Sequence, residues 1–307
     1  LFNFELNVIQ LNLQIPSPIK LITKHPGIDM GIQIYIKRDD LIHPEISGNK
    51  WRKLKYNIEQ AKLLNADTLV TAGGAWSNHL AATAAAGKLL NFKTIGIIRG
   101  EEPPQWSSTL LYCKNQGMEF IFKARREFDR LHNSISNDSL NSFQSFYIPM
   151  GGDNEWGRLG CEEIMNEISV DFDVFCLPVG TGATLQGVAN SCTDKNILGF
   201  SALKNPSQHS NELIEWVNNR SDIELYFDNQ FGGFAKSSAE LDNFIVSFYQ
   251  QNKIMLDPVY TGKMMFYLFE SIKRNQFKNG TSIVCLHTGG LQGIAGYPDL
   301  HRRLFTS

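Results

Sequence analysis

From Thr68 onward, short apolar runs alternate with stretches of helical periodicity, and this alternation constrains the fold more than any other feature of the chain. Residues 68–73, 93–99, 119–122, 146–149, 174–179, 197–202 and 283–286 read as strands. Residues 50–64, 77–90, 107–115, 158–168 and 262–274 carry helical patterns. Strand, crossover helix and strand in succession argue for parallel βαβ units, because parallel neighbours need a long crossover. The spacing therefore predicts an α/β fold of open, twisted, mainly parallel sheets flanked by helices. The polar segment 126–145 reads as a surface helix and loop, and no sharp linker divides the chain. One lobe inserted into another, with a cleft at the carboxyl ends of strands, fits that pattern.

The 307 residues are 42% hydrophobic, enough for a sizeable core, so neither wholesale disorder nor disulfide stapling is expected. A formal net charge of −2 argues against nucleic acid or an anionic membrane as partner and favours a small molecule. Cys113, Cys161, Cys176, Cys192 and Cys285 are scattered, with no CxxC pair, and read as buried thiols in a reducing compartment. The stretches free of charged residues, 174–193 and 279–298, are broken by glycines and make poor membrane helices. With no leader-like pattern near Leu1, a cytoplasmic location is expected.

Three glycine-rich turns each follow a strand-like run. They are Gly73-Gly74-Ala75-Trp76-Ser77-Asn78-His79, Gly180-Thr181-Gly182-Ala183-Thr184-Leu185-Gln186-Gly187 and His287-Thr288-Gly289-Gly290. Glycine permits tight turns and close backbone approach, and a helix start offers unpaired N–H groups to an anion. The second turn suits a phosphate best, since Thr181 and Thr184 add hydroxyls. It lacks the lysine of a P-loop and the GxGxxG pattern, which disfavours nucleotide binding by those motifs.

The remaining constellation is Arg38-Asp39-Asp40-Leu41 followed by Ser47-Gly48-Asn49-Lys50-Trp51-Arg52-Lys53. A lysine that opens a helix sits near its positive end, which favours a neutral, nucleophilic amine. Taken alone, Lys50, Arg52, Lys53 and Lys55 read first as a solvated basic face. The phosphate-type turn, the lysine at a turn, the second anion-holding turn and Asp257-Pro-Val-Tyr-Thr-Gly-Lys in one chain weigh against that simpler reading.

In this combination the chain resembles pyridoxal-phosphate enzymes of the tryptophan-synthase β type. Within them it is similar to the D-cysteine desulfhydrase and 1-aminocyclopropane-1-carboxylate (ACC) deaminase branch. The likeness runs from Tyr35-Ile-Lys-Arg-Asp-Asp through Ser47-Gly-Asn-Lys, 74–79, 147–160 and 257–263 to 287–290. It implies that Lys50 forms the internal Schiff base to pyridoxal 5'-phosphate and that Asn78 lies beside the pyridoxal hydroxyl. Thr181, Gly182, Ala183 and Thr184 would cradle the phosphate, and Thr288 would present a hydroxyl to the pyridine nitrogen. Trp76, Ser77, Asn78 and His79 would line the substrate-carboxylate loop, with Ser77 and Tyr260 catalytic beside Lys50. It further implies a large cofactor lobe (1–52 and 169–307), a small inserted lobe (53–168) and a homodimer, with no metal.

The implied chemistry is α,β-elimination or deamination of a small amino acid, with D-cysteine, converted to pyruvate, ammonia and sulfide, as the leading candidate. Lyase, deaminase and hydrolase are the class labels this carries. The ACC deaminases resembled here have Glu after the active-site tyrosine and Leu in the His-x-Gly-Gly turn, where this chain has Thr261 and Thr288. ACC deamination and a non-catalytic binding role are the alternatives. Two positions depart from the pattern: Trp76 stands where relatives carry Gln, and Phe231 where many carry a second active-site tyrosine. His25, His43, His132, His209 and His301 lack ligand spacing, and His287 reads as structural. Ser77 is not in a GxSxG elbow. Asp39 and Asp40, adjacent and so on opposite faces of a strand, are not a carboxylate pair, and one of them is expected to support the Lys50 loop.

Overall fold

In a computed structural model of the chain, the structure describes residues 11–135 and 144–306. The loop expected within 126–145 falls largely outside these residues, as does the side chain of His132. The elements in order are β1 (Ile19–Ile22), β2 (Gln33–Lys37), α1 (Lys50–Leu63), β3 (Thr68–Gly73), α2 (Asn78–Leu90), β4 (Lys93–Arg99), α3 (Ser108–Asn115), β5 (Glu119–Lys123), α4 (Arg125–Ser134) and β6 (Ser145–Ile148). There follow α5 (Glu155–Asn166), β7 (Val174–Val179), α6 (Ala183–Ser191), β8 (Asn196–Ser201), α7 (Asn211–Asn218), β9 (Ile223–Tyr226), α8 (Ala239–Asn252), α9 (Thr261–Lys273), β10 (Ser282–Leu286) and α10 (Pro298–Phe305).

These strands form a six-stranded sheet, β1-β2-β10-β7-β8-β9, and a four-stranded sheet, β5-β4-β3-β6. Every neighbouring pair is parallel except β1 and β2. The α/β architecture expected from the alternation is therefore observed. The smaller sheet comes wholly from residues 68–148, so it interrupts the chain between β2 and β7 of the larger one. The central strands β3 and β7 are buried along their whole length, as parallel strands covered on both faces must be. Among the described residues no helix is long and apolar enough to cross a membrane.

The helices that carry the site pack backbone to backbone. A Cβ on Gly160 of α5 would lie 1.9 Å from the Arg52 carbonyl of α1, and one on Gly187 of α6 would lie 2.4 Å from the Arg158 carbonyl of α5. Only glycine admits such approach. On α1, Trp51, Leu54, Ile58 and Ala61 enter a core with Leu69, Phe146 and Ile148 of the smaller sheet.

Arg52 and Lys53 are buried too, at 1% and 5% exposure, so the solvated-face reading of 50–55 fails for them. Arg52 is held by Asp39 through Nε and Nη2 at 2.7 and 2.8 Å and by both oxygens of Glu167 at 2.8 and 2.9 Å. Lys37 joins the same network, 2.6 Å from Glu167. Burial opposes ionisation of Glu167, yet hydrogen bonds and charge from Arg52 and Lys37 bring its pKa down to about 2. Asp39 thereby anchors the helix that Lys50 begins. Asp39 and Asp40 lie in a single turn of 3-10 helix beyond β2, not in a strand as expected, and Asp40 pairs with Arg38 at 2.7 Å.

Candidate active site

Four loops converge, each leaving the carboxyl end of a strand: 38–49 after β2, 74–77 after β3, 180–182 after β7 and 287–290 after β10. Lys50 is the first residue of α1. Asn49 Nδ2 donates to Thr184 Oγ1 at 2.8 Å, and Lys50 Nζ donates to Asn49 Oδ1 at 2.5 Å. Gly48, at φ +69°, has no room for a side chain, because its Cβ would fall 1.9 Å from the Thr288 carbonyl oxygen. The turn before Lys50 is thus fitted to both the Thr184 and Thr288 turns.

Lys50 is half-buried. Desolvation, then the like charge of Lys53, pushes its pKa down to about 7. A substantial share of the amine is therefore neutral near neutral pH.

Gly182 caps α6, so the helix start points its first N–H groups at the 180–182 turn. Thr181 Oγ1 is buried there without a hydrogen-bond partner. A buried orphan hydroxyl is costly and marks a place for an acceptor that the protein itself does not supply. Lys53 Nζ donates to the Gly151 carbonyl at 3.0 Å, and a Cβ on Gly151 would lie 2.9 Å from Thr181 Cγ2, which sets a buried cation next to the same turn. These groups, with the amine of Lys50, fit a ligand that carries both a phosphate and a carbonyl, which is what pyridoxal phosphate is.

On the facing loop, Ser77 caps α2 by accepting from the Leu80 N–H at 3.3 Å. Asn78 Oδ1 accepts a short hydrogen bond from Gln292 Nε2. Its Nδ2 lies 2.6 Å from where a Gly290 Cβ would stand, a point 3.6 Å from the Asp257 carboxyl carbon. His79 is 2% exposed, with both ring nitrogens unpartnered. Burial, then the charges of Lys50 and Lys53, lower its pKa to about 3, so the ring is neutral.

The Tyr260 ring lies over Gly180, its hydroxyl 3.5 Å from where a Cβ would stand. Burial, then the nearby Asp257 charge, raises the phenol well above its ordinary pKa and keeps it protonated. Asp257 holds this loop: Oδ2 accepts from the N–H groups of Val259 and Tyr260, both at 2.9 Å, and Oδ1 accepts from the Thr261 N–H at 2.8 Å and hydroxyl at 2.7 Å. His287 is structural as expected, bonded through Nε2 to the Met255 carbonyl at 2.6 Å and through Nδ1 to the Gly289 N–H at 3.2 Å.

Two positions singled out in the sequence stand apart from the buried cluster. Phe231 is in the core, edge-on to Phe266 with centroids 4.9 Å apart. Its loop is drawn inward by Asp228, which accepts from the Phe231 N–H at 2.9 Å and pairs with Lys263 at 2.6 Å. The aromatic that meets Tyr260 is Phe234, at 6.1 Å between centroids. Trp76 is 46% exposed, its indole 3.3 Å from a Cβ position on Gly296, so it closes the outer side of the loop.

Lys53, Asp257 and Gln292 did not enter the sequence-based site. The three-residue step from Lys50 on one helix face could have flagged Lys53, and the Asp-Pro turn could have flagged Asp257. No sequence signal marks Gln292. Two surface grooves, of about 490 Å³ beside His25 and Phe269 and about 460 Å³ beside Tyr226 and Arg274, share no residue with this cluster.

The family profile described as pyridoxal-phosphate dependent enzyme matches residues 14–289. A Pyrococcus furiosus protein provisionally named a 1-aminocyclopropane-1-carboxylate deaminase is 30% identical, over 88% of each chain. An Arabidopsis thaliana protein named a mitochondrial bifunctional D-cysteine desulfhydrase/1-aminocyclopropane-1-carboxylate deaminase is 29% identical, over 91% of this chain and 77% of its own. A Klebsiella pneumoniae D-cysteine desulfhydrase is 27% identical, over 92% and 94%. The crystal structure of an ACC deaminase homologue superposes with a TM-score of 0.79 at 28% identity, covering 94% of each chain. A fungal L-serine ammonia-lyase from Rhizomucor miehei, at 13% identity and a TM-score of 0.69, shares the fold. The relatives' names are those of deaminases and desulfhydrases, which are lyases, so the hydrolase label expected from sequence is withdrawn.

Proposed function

The chain belongs to the pyridoxal-phosphate dependent enzymes, in the branch of ACC deaminase and D-cysteine desulfhydrase, and we propose that it eliminates the β-substituent of a small amino acid. D-cysteine, with water, giving pyruvate, ammonia and sulfide, is the leading substrate. The observation that carries the proposal is the joining of three strand-end turns around one lysine of lowered pKa: Asn49 to Thr184, Gly48 to Thr288 and Lys50 to Asn49.

In this reading Lys50 holds the cofactor, Thr181, Gly182, Ala183 and Thr184 take its phosphate with Lys53 adding charge, Thr288 faces its ring nitrogen and Asn78 its hydroxyl. When bound, pyridoxal phosphate supplies the sink for the electron pair left at Cα. Lys50 would take the Cα proton, since an amine with a pKa of about 7 is neutral in a substantial share of molecules at neutral pH. Tyr260, kept protonated by burial and by Asp257, gives a proton to the departing group. Ser77 sits beside the reacting carbon, and with Asn78 and His79 orients the carboxylate. A neutral Thr288 hydroxyl would face the ring nitrogen without offering it a strong acid.

Thr261 favours D-cysteine over ACC. It is fully buried and saturated by Asp257, so no acid stands directly after Tyr260. The lobes divide as the two sheets do, with residues 53–168 the smaller, and the enzyme is a cytoplasmic homodimer. The test is turnover by the holoenzyme: pyruvate and sulfide from D-cysteine support the proposal, and turnover of ACC with none of D-cysteine overturns the substrate assignment.

A further inference from the structure

The segment Leu291–Gly296, a 3-10 turn after β10, meets the loop between β3 and α2 at two points. At one, the Trp76 indole lies 3.3 Å from a Cβ position on Gly296. At the other, Gln292 Nε2 donates to Asn78 Oδ1, across 214 residues of sequence. A primary amide has one accepting and one donating end. With Oδ1 turned toward Gln292, Asn78 presents Nδ2 on its other side, and Nδ2 borders the space that a Gly290 side chain would fill. Gly290, at φ +89°, leaves that space open beside the Asp257 carboxylate.

We propose that Gln292 is a positioning residue: it sets the orientation of the Asn78 amide so that its N–H groups, not its oxygen, face the bound cofactor. This rests on the placement of Asn78 beside the cofactor hydroxyl. Without Gln292 the amide can turn over, presenting an acceptor to an oxygen that carries negative charge when deprotonated.

The experiment is a pH titration of the visible absorption of the cofactor-loaded protein, carried out on Gln292→Met, Asn78→Ala and the double variant. Methionine keeps the length and packing of glutamine but cannot donate. A hydrogen bond to the ionised oxygen stabilises it, so the Gln292→Met midpoint moves up by roughly one pH unit, the size of one charge-assisted bond. In the Asn78→Ala background Gln292→Met adds nothing, because the two residues act as one unit. An unchanged midpoint in Gln292→Met, or an equal shift in both backgrounds, overturns the proposal. An unchanged midpoint in Asn78→Ala instead removes the placement of Asn78 on which it rests, and that result is read separately. Lys50→Ala, run in parallel, reports on the cofactor assignment itself.

Discussion

Asn49 Nδ2 donates to Thr184 Oγ1 at 2.8 Å, and through that one bond the residue before the site lysine is tied to the turn that opens α6. Asn49 and Thr184 are 135 residues apart, yet the separation of the two turns is set by their direct contact. The close backbone approaches at Gly160 and Gly187 fix the same helices from behind.

Gly48→Ala tests that fit. The position has φ +69°, and a Cβ there would fall 1.9 Å from the Thr288 carbonyl oxygen, so alanine brings both left-handed strain and a backbone clash. The expected outcome is a loss of about 2 kcal/mol or more in urea unfolding, with weakened cofactor retention measured by dialysis and absorbance. A variant that folds and retains cofactor like the parent would show that the turns are not mutually fitted.

Arg52→Met leaves Asp39 and Glu167 buried without their guanidinium. Removing one partner from a buried ion network costs about 3–5 kcal/mol, whereas an exposed pair would cost under about 1. Denaturant midpoints of Arg52→Met against Lys93→Met, whose exposed partner is Asp67, should differ accordingly.

Acid should destabilise the cofactor-free protein earlier than carboxylates alone would. His79 binds its proton near pH 6.5 when unfolded but only near 3 when folded, so the unfolded state holds more protons between those values. Its stability contribution is complete above about 6.5 and is lost as pH falls toward 3. Glu167, whose folded pKa is about 2, adds a further loss below about 4.5. Thermal melts of His79→Leu should lose the shallower part of this slope and keep the steeper one. Identical slopes would mean that His79 is not buried neutral.

Trp76→Gln removes the indole from Gly296 and should change the ratio of kcat/KM between D-cysteine and bulkier β-substituted amino acids by about tenfold, the scale of one altered pocket contact. An unchanged profile would place Trp76 outside the specificity determinants.

Strands β3 to β8, β10 and the three glycine turns were legible because short apolar runs and glycine punctuation are local signals, whereas β1, β2 and β9 were not read from the sequence. The place of Lys50 at a helix start was legible from the turn before it, whereas its role came only from the family resemblance. Burial of Arg52 was not, because its partners Asp39 and Glu167 meet it only in three dimensions. Phe231 was misassigned for the same reason: the Asp228–Lys263 pair draws its loop into the core and leaves Phe234 against Tyr260. Gln292 carried no signal, since its only mark is a contact with a residue on the other sheet's loop.

The most direct test is the visible spectrum of the purified protein with pyridoxal phosphate, titrated with D-cysteine while pyruvate is assayed, for the parent and Lys50→Ala. The parent should show a visible cofactor band and release pyruvate. Lys50→Ala should lose the band, and its turnover should fall by at least about 10²–10⁴-fold. A band and pyruvate release that survive in Lys50→Ala, or no band in the parent, would contradict the assignment of Lys50 as the residue that holds the cofactor.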